Sequence, residues 1–283
     1  MPAQTRVIHY YVCLGAAGGK ECVVTMKMVF CDIDGTLYRE HLQISPLNKE
    51  ALIRFREAGG KVVYCTGRHI LEMGKILEED GYPFDYLVLN NGGAILDGHK
   101  NTLYEKHIEA PIGLDILQWG VDANMFVHMC DGKKSYGCFN HQSFTHSDQG
   151  DRPIPDDFMT LMKRSSSFQI ISLNQENMQT DQIDIIKKRI EEKYSKHVEC
   201  HPNLHFLDVV PNNCSKGTGV NYLKEKTNAT TYTIGDSWND LSMIEAGNHG
   251  CTFDYAHDDI QKKADHVYSY VYEMIDDILG GKI

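Results

Sequence analysis

The chain has 283 residues, 42% of them apolar, enough to bury one large core or two smaller ones. Its 28 Lys and Arg against 39 Asp and Glu leave a formal net charge of −11, which argues against a nucleic acid or an anionic membrane as partner, since both need a basic footprint. A phosphorylated small molecule remains compatible, because one Lys, one Arg and a metal ion reverse the field locally.

Residues 1–25 fit the rest poorly. Their apolar patch at 10–19 is diluted by glycine and makes a weak secretory signal. A strand begins at once after Met26, so residues 1–25 are expected to be an extension, not native or weakly ordered. The apolar run Met28-Val29-Phe30-Cys31 reads as a buried parallel strand. It delivers Asp32-Ile33-Asp34-Gly35-Thr36, two carboxylates at the strand's carboxyl end before a glycine turn. Crowded carboxylates repel, and a hard divalent cation is the usual reason for them. Ser45-Pro46 starts a helix that carries Leu47, Ala51, Phe55 and Ala58 at helical spacing and stops at Gly59-Gly60.

Three more short strands follow the same rule. Lys61-Val62-Val63-Tyr64-Cys65 ends at Thr66-Gly67-Arg68, Tyr86-Leu87-Val88-Leu89 ends at Asn90-Asn91-Gly92-Gly93, and Thr231-Tyr232-Thr233-Ile234 ends at Gly235-Asp236. A helix carrying Ile70, Met73 and Leu77 separates the first two. In an open parallel sheet, ligands bind at the carboxyl edge. Asp32, Asp34, Thr66 and Asp236 are therefore expected to converge there, with Lys216 from a helix start in Ser215-Lys216-Gly217. Acids, a hydroxyl and an ammonium suit Mg²⁺ and a phosphoryl group.

The alternation breaks at Asn91. A hairpin through Ala94-Ile95-Leu96 and Thr102-Leu103-Tyr104 leads into helical stretches at 112–119 and 181–194 and strand-like ones at 124–129 and 168–173, with 142–155 as a loop. These observations predict an α/β chain, a parallel-sheet core at 26–91 and 206–283, and an α+β domain inserted at 92–205. The core resumes with a strand at 206–210, and after Asp240 come a helix at 243–246, a strand at Cys251-Thr252-Phe253, a helix at 260–264 and an amphipathic helix at 271–279. Nine cysteines, an odd count without a Cys-x-x-Cys pair, point to a reducing compartment, read as the cytoplasm. His197, His201 and His205 have metal-like spacing, but Pro202 interrupts a helix there and no zinc site is assigned. His128, His141 and His146 lie in the inserted region, where they could meet a substrate, but most such histidines are surface residues.

The ordered motifs resemble the haloacid dehalogenase superfamily, and within it the Cof-like phosphatases with a large α/β cap of type IIB. DxDGT matches Asp32 to Thr36, the strand-terminal Thr matches Thr66-Gly67-Arg68, the Lys-Gly pair matches Lys216-Gly217, and GDxxND matches Gly235 to Asp240. Asn213-Cys214 departs from the Gly-Val pair common before the Lys. The resemblance implies a Rossmann-like core, an inserted cap and a Mg²⁺-dependent phosphoric monoester hydrolase. It implies Asp32 as nucleophile and metal ligand, Asp34 as general acid and base with its backbone carbonyl on the metal, and Asp236 as a further metal ligand. The Asp34 role calls for a carboxyl whose pKa is raised. Thr66 and Lys216 hold the phosphoryl oxygens. Gly35, Gly67, Arg68, Asn91 and Asn239 are expected beside the phosphate or substrate, Arg68 being equally readable as a structural ion pair. Thr36 and Asp240 support the loops, Asp240 by orienting Lys216. The expected partner is a small phosphorylated metabolite, a sugar phosphate first. A mutase of the phosphomannomutase type and a non-catalytic metabolite-binding protein are the alternatives.

Overall fold

The computed structural model describes residues 25–39, 44–74, 76–77, 81–145, 151–174, 180–203 and 206–283. Residues 1–24 of the expected extension lie outside the described residues. The first elements are β1 (Lys27–Cys31), α1 (Pro46–Glu57), β2 (Lys61–Cys65), β3 (Tyr86–Leu89), β4 (Ala94–Asp97) and β5 (Thr102–Glu105). The inserted region runs through β6 (Ile108–Glu109), α2 (Ala110–Asp122), β7 (Phe126–Cys130), β8 (Ser135–Phe139), β9 (Gln142–Thr145), β10 (Arg152–Pro153), α3 (Phe158–Met162), β11 (Ser167–Phe168), β12 (Ile170–Asn174), α4 (Thr180–Tyr194), β13 (Val198–Asn203) and β14 (Phe206–Pro211). The chain closes with α5 (Lys216–Thr227), β15 (Thr230–Ile234), α6 (Leu241–Ala246), β16 (His249–Phe253), α7 (Asp258–Gln261), β17 (His266–Tyr268) and α8 (Val271–Leu279).

The large sheet has the order β17-β16-β15-β1-β2-β3-β4-β5 and is parallel from β17 to β3. Register puts Cys31 opposite both Ile234 and Tyr64, so the carboxyl ends of β15, β1 and β2 finish level with one another. The fully buried runs that announced these strands are covered on both faces. Leu52, Tyr64 and Ile275 belong to one apolar layer, and Met28, Val63 and Leu223 to the other. The second sheet, β10-β9-β8-β7-β12-β14-β13, is antiparallel in all its pairings and packs α2 and α4 against a core around Val127, Leu173 and Val209.

Sheet pairing moves both expected boundaries. The hairpin β4–β5, expected in the insertion from residue 92, extends the large sheet, with Leu87 opposite Leu96. Strand β14, expected to open the returning core at residue 206, lies between β12 and β13 in the smaller sheet. A hairpin or strand is a local signal, while sheet membership depends on which distant edge it meets. The expected loop at 142–155 contains β9 and β10, paired antiparallel. The expected helix carrying Ile70, Met73 and Leu77 starts as a 3-10 turn over Ile70–Glu72 with Met73 as its C-cap, and the backbone is helical again at Gly74 and at residues 76–77. No helix among the described residues is long and apolar enough to cross a membrane. All seven cysteines among the described residues are free and buried.

Helix α1 begins as read, with the Ser45 hydroxyl accepting from the Asn48 N–H at 3.2 Å and Pro46 in the first turn. Its buried stripe is rotated from the expected one: Asn48, Ala51, Leu52 and Phe55 face inward, while Leu47 and Ala58 face solvent. The Asn48 side-chain oxygen Oδ1 accepts the Tyr272 N–H at 3.1 Å, which satisfies a donor at the start of α8 and sets the helix phase. Leu52, 0% exposed, should therefore cost about 2–5 kcal/mol on truncation to Ala. Leu47→Ala, at a position 56% exposed, should stay within about 0.5 kcal/mol. Urea unfolding of the two variants checks the phase.

Candidate active site

Strand β1 ends at Asp32, which is buried, and Gly35 turns the chain beside Asp236. Gly35 has φ +89°, and a Cβ there would lie 2.5 Å from Asp236 Oδ2. Only glycine lets these two loops approach so closely. The Thr36 hydroxyl donates to Asp236 Oδ1 at 2.8 Å, and the Tyr255 hydroxyl props the turn by donating to the Gly35 carbonyl at 2.5 Å. Asp240 ties the last loop, its Oδ2 accepting the N–H groups of Asp236 and Ser237 at 3.0 and 2.9 Å. Lys216 starts α5, capped by Ser215. Gly92, at φ +91°, lets the end of β3 press on that cap, since a Cβ would sit 2.1 Å from the Ser215 carbonyl oxygen.

At the centre, Lys216 Nζ donates to Asp32 Oδ1 at 2.5 Å and to Asp240 Oδ1 at 2.6 Å. All three side chains are at most 5% exposed. Burial alone would push the ammonium down, but Asp240 and Asp32 hold it well above the usual lysine range. Burial and the neighbouring Asp240 and Asp236 carboxylates drive Asp32 upward, with Lys216 opposing. Asp236 is pushed up to about 6 by burial and Asp240, against the Thr36 hydroxyl and Lys216. Carboxylate oxygens of Asp32, Asp236 and Asp240 lie within 4.8 Å of one another. Asp240 is spent on Lys216 and two backbone N–H groups, so Asp32 and Asp236 are the pair suited to a hard divalent cation. Their mutual repulsion is the charge such an ion would neutralise.

The other expected residues divide into two groups. Thr66, Gly67, Arg68 and Asn239 line the same cavity as Asp32, Asp34 and Lys216, a space of about 240 Å³. The Thr66 hydroxyl accepts the Arg68 N–H at 3.1 Å. Arg68 binds Asp34 bidentately at 2.8 and 2.6 Å. The Asp34 side chain is 46% exposed, with both oxygens engaged by Arg68, the ion-pair alternative read for that arginine. Asn91 is fully buried and does not line the cavity. At φ +48°, it spans the two sheets, donating to Asp208 Oδ2 at 3.1 Å and accepting from Asn239 Nδ2 at 3.4 Å.

Several cavity residues escaped the sequence reading. His69 and Glu72 follow Arg68 in the same loop, and His128, Ser172, Asp208 and Phe206 come from the smaller sheet. His128 is buried in the cavity wall, not on the surface as expected. The one signal in the sequence was Asp208 itself, an acid in the middle of the apolar run 206–210. His201, from the declined histidine trio, contacts the Cys214 carbonyl through Nε2 at 2.7 Å; His205 lies outside the described residues. Replacing the buried ammonium, as in Lys216→Met, leaves two carboxylates without a counter-charge. It should destabilise the protein by about 3–5 kcal/mol, read as a lower midpoint in chemical denaturation.

A family model for haloacid dehalogenase-like hydrolases matches residues 29–274. The chain is 25% identical to the phosphatase YwpJ of Bacillus subtilis (strain 168), over 86% of this chain and 94% of that protein. It is 25% identical to the HMP-PP phosphatase of Yersinia pseudotuberculosis, over 79% of this chain and 82% of that protein. Among solved structures, a haloacid dehalogenase-like hydrolase from B. subtilis superposes with a TM-score of 0.73 at 22% identity, covering 89% of this chain and 99% of that one. A sugar phosphatase of HAD subclass IIB does so with a TM-score of 0.73 at 18% identity, covering 91% and 100%; at these identities the likeness shows the fold. With the family match spanning nearly the whole described chain, this protein belongs to the haloacid dehalogenase-like hydrolases.

Proposed function

We propose that the protein is a Mg²⁺-dependent phosphatase for a small phosphorylated metabolite, with sugar phosphates the first class to test, acting through an aspartyl-phosphate on Asp32. The observation that carries this reading is the buried Asp32 oxygen at 2.5 Å from the Lys216 ammonium, facing a cavity that Thr66 and Asn239 also line. The phosphatase names of the relatives from B. subtilis and Y. pseudotuberculosis support it.

In the first step, an Asp32 carboxylate oxygen attacks phosphorus in line as the bond to the leaving oxygen breaks, and Asp34 gives that oxygen its proton. Asp34 must loosen from Arg68 to do so, and its place at the exposed rim allows this. In the second step, Asp34 takes a proton from water, whose oxygen attacks phosphorus and releases Asp32 and inorganic phosphate. Lys216 offsets the repulsion between Asp32 and the phosphoryl dianion, and the Thr66 hydroxyl holds one phosphoryl oxygen. Asp32, Asp236 and the Asp34 backbone carbonyl would hold Mg²⁺, which supplies charge neutralisation at the phosphoryl group when bound.

Asp32→Asn should lower turnover of an aryl phosphate by at least about 10³-fold. EDTA should abolish it, with recovery on adding Mg²⁺; near wild-type rates in either case would refute the reading. Because Asp236 holds its proton up to about 6, protons compete with the cation below that value. Mg²⁺ should therefore raise the melting temperature clearly at about pH 8 and much less at about pH 5, as scanning calorimetry with and without the ion would show.

A further inference from the structure

Beyond the phosphoryl end, the cavity has a second half built from both sheets. Its two cations among the described residues, Lys216 and Arg68, are already bound to Asp32 and Asp34. The remaining charged side chains there are Glu72 and Asp208. Asp208 sits mid-strand in β14, 7% exposed. Its Oδ1 accepts from the Ser172 hydroxyl at 2.6 Å and its Oδ2 from Asn91 Nδ2 at 3.1 Å. Each oxygen thus meets one neighbouring polar group and retains acceptor capacity. Burial pushes this carboxyl up, and the Ser172 hydroxyl, His201 and Asn91 oppose that push.

Glu72 is held from the core side. Its Oε2 accepts the His69 backbone N–H at 3.1 Å and lies 3.5 Å from His69 Nε2. His69 Nδ1 accepts the Leu71 N–H at 3.2 Å, so in the neutral ring the proton sits on Nε2, on the side of Glu72. His128 stacks on His69 with ring centroids 5.4 Å apart and places Nε2 at 2.6 Å from the Ser135 hydroxyl. One ligating atom each from His69, Glu72 and His128 fall within 4.8 Å. Two imidazoles and a carboxylate could suggest a transition metal, but a metal needs an unprotonated nitrogen, and the Leu71 bond leaves His69 Nε2 carrying its hydrogen. The group is a hydrogen-bonding surface, flanked by the apolar faces of Phe126, Ile170 and Phe206.

We propose that this half of the cavity selects monophosphate esters whose alcohol carries hydrogen-bond donors and no second anionic group, with Glu72 and Asp208 as the residues that set the selectivity. A carboxylate or second phosphate on the leaving group would face two carboxylates, one from each sheet, and no unbound Lys or Arg among the described lining residues. A hydroxyl or an ammonium finds acceptors in both. This rests on the phosphatase reading and deepens it, and it separates the protein from a mutase that must accommodate a bisphosphate.

The test compares three aryl phosphates at about pH 8, above the ordinary imidazole range: phenyl phosphate bearing a para hydroxymethyl, aminomethyl or carboxylate group. Wild-type kcat/KM for the carboxylate ester should be at least about tenfold below the other two. Electron withdrawal by the carboxylate alone would make its phenol the better leaving group, so a slower reaction reports recognition. Glu72→Gln and Asp208→Asn should each narrow that ratio by about threefold or more. General damage to folding changes all three rates and leaves the ratio alone. Equal turnover of the carboxylate ester by wild type would overturn the proposal, as would an unchanged ratio in both variants. Micromolar zinc binding that His128→Ala removes would overturn it in favour of a metal centre. If none of the three esters is hydrolysed, the phosphatase reading fails instead.

Discussion

One buried ammonium organises the catalytic end of this molecule. Lys216 lies between Asp32 and Asp240, out of contact with water, and joins the end of β1 to the loop after β15 through two charge-assisted hydrogen bonds. A lone charge at such depth would be expelled or neutralised. The lysine persists because two carboxylates meet it, and they persist because it is there. Three acids against one base still leave excess negative charge, which adds to burial in pushing Asp32 and Asp236 upward. That excess is the charge a divalent cation held by Asp32 and Asp236 would offset.

The surrounding glycines and caps serve this arrangement. Gly35 brings the β1 loop against Asp236, and Gly92 brings the β3 end against the N-terminus of α5, from which Lys216 projects. Asp240 has a double duty, since one oxygen meets Lys216 while the other closes the loop that carries Asp236. Loop shape and charge balance therefore depend on the same side chain.

A second polar chain crosses from the large sheet to the small one, from Asn239 through Asn91 to Asp208 and Ser172. It links the loop of Asp236 to β14, the strand that carries Asp208. The loop of Asp236 and the cavity wall at Asp208 thus share one buried network, and low dielectric makes each of its bonds matter. Asn91 supplies this link by adopting a left-handed backbone conformation, which asparagine tolerates better than most residues.

Much of the arrangement around Lys216 was legible in the sequence. Each of Asp32, Thr66 and Asp236 follows an apolar run, and a parallel sheet must present strand ends at one edge. Asp240, expected to orient Lys216, accepts a hydrogen bond from its ammonium. The phase of α1 was misread because its spacing admits two neighbouring stripes, and the choice fell to Asn48, whose partner at Tyr272 is 224 residues away. Arg68 was read equally as a substrate contact or an ion pair, and its turn toward Asp34 followed from the meeting of two separate loops.

Sequence alone determined the alternating strand and helix core and the order of its charged loops, since periodicity and strand-end chemistry are local properties of the chain. Tertiary structure decided which sheet receives β4, β5 and β14, and so where Asp208 and His128 come to face Glu72. Those choices depend on pairing between edges far apart along the chain, where free energy is gained only once both partners are folded.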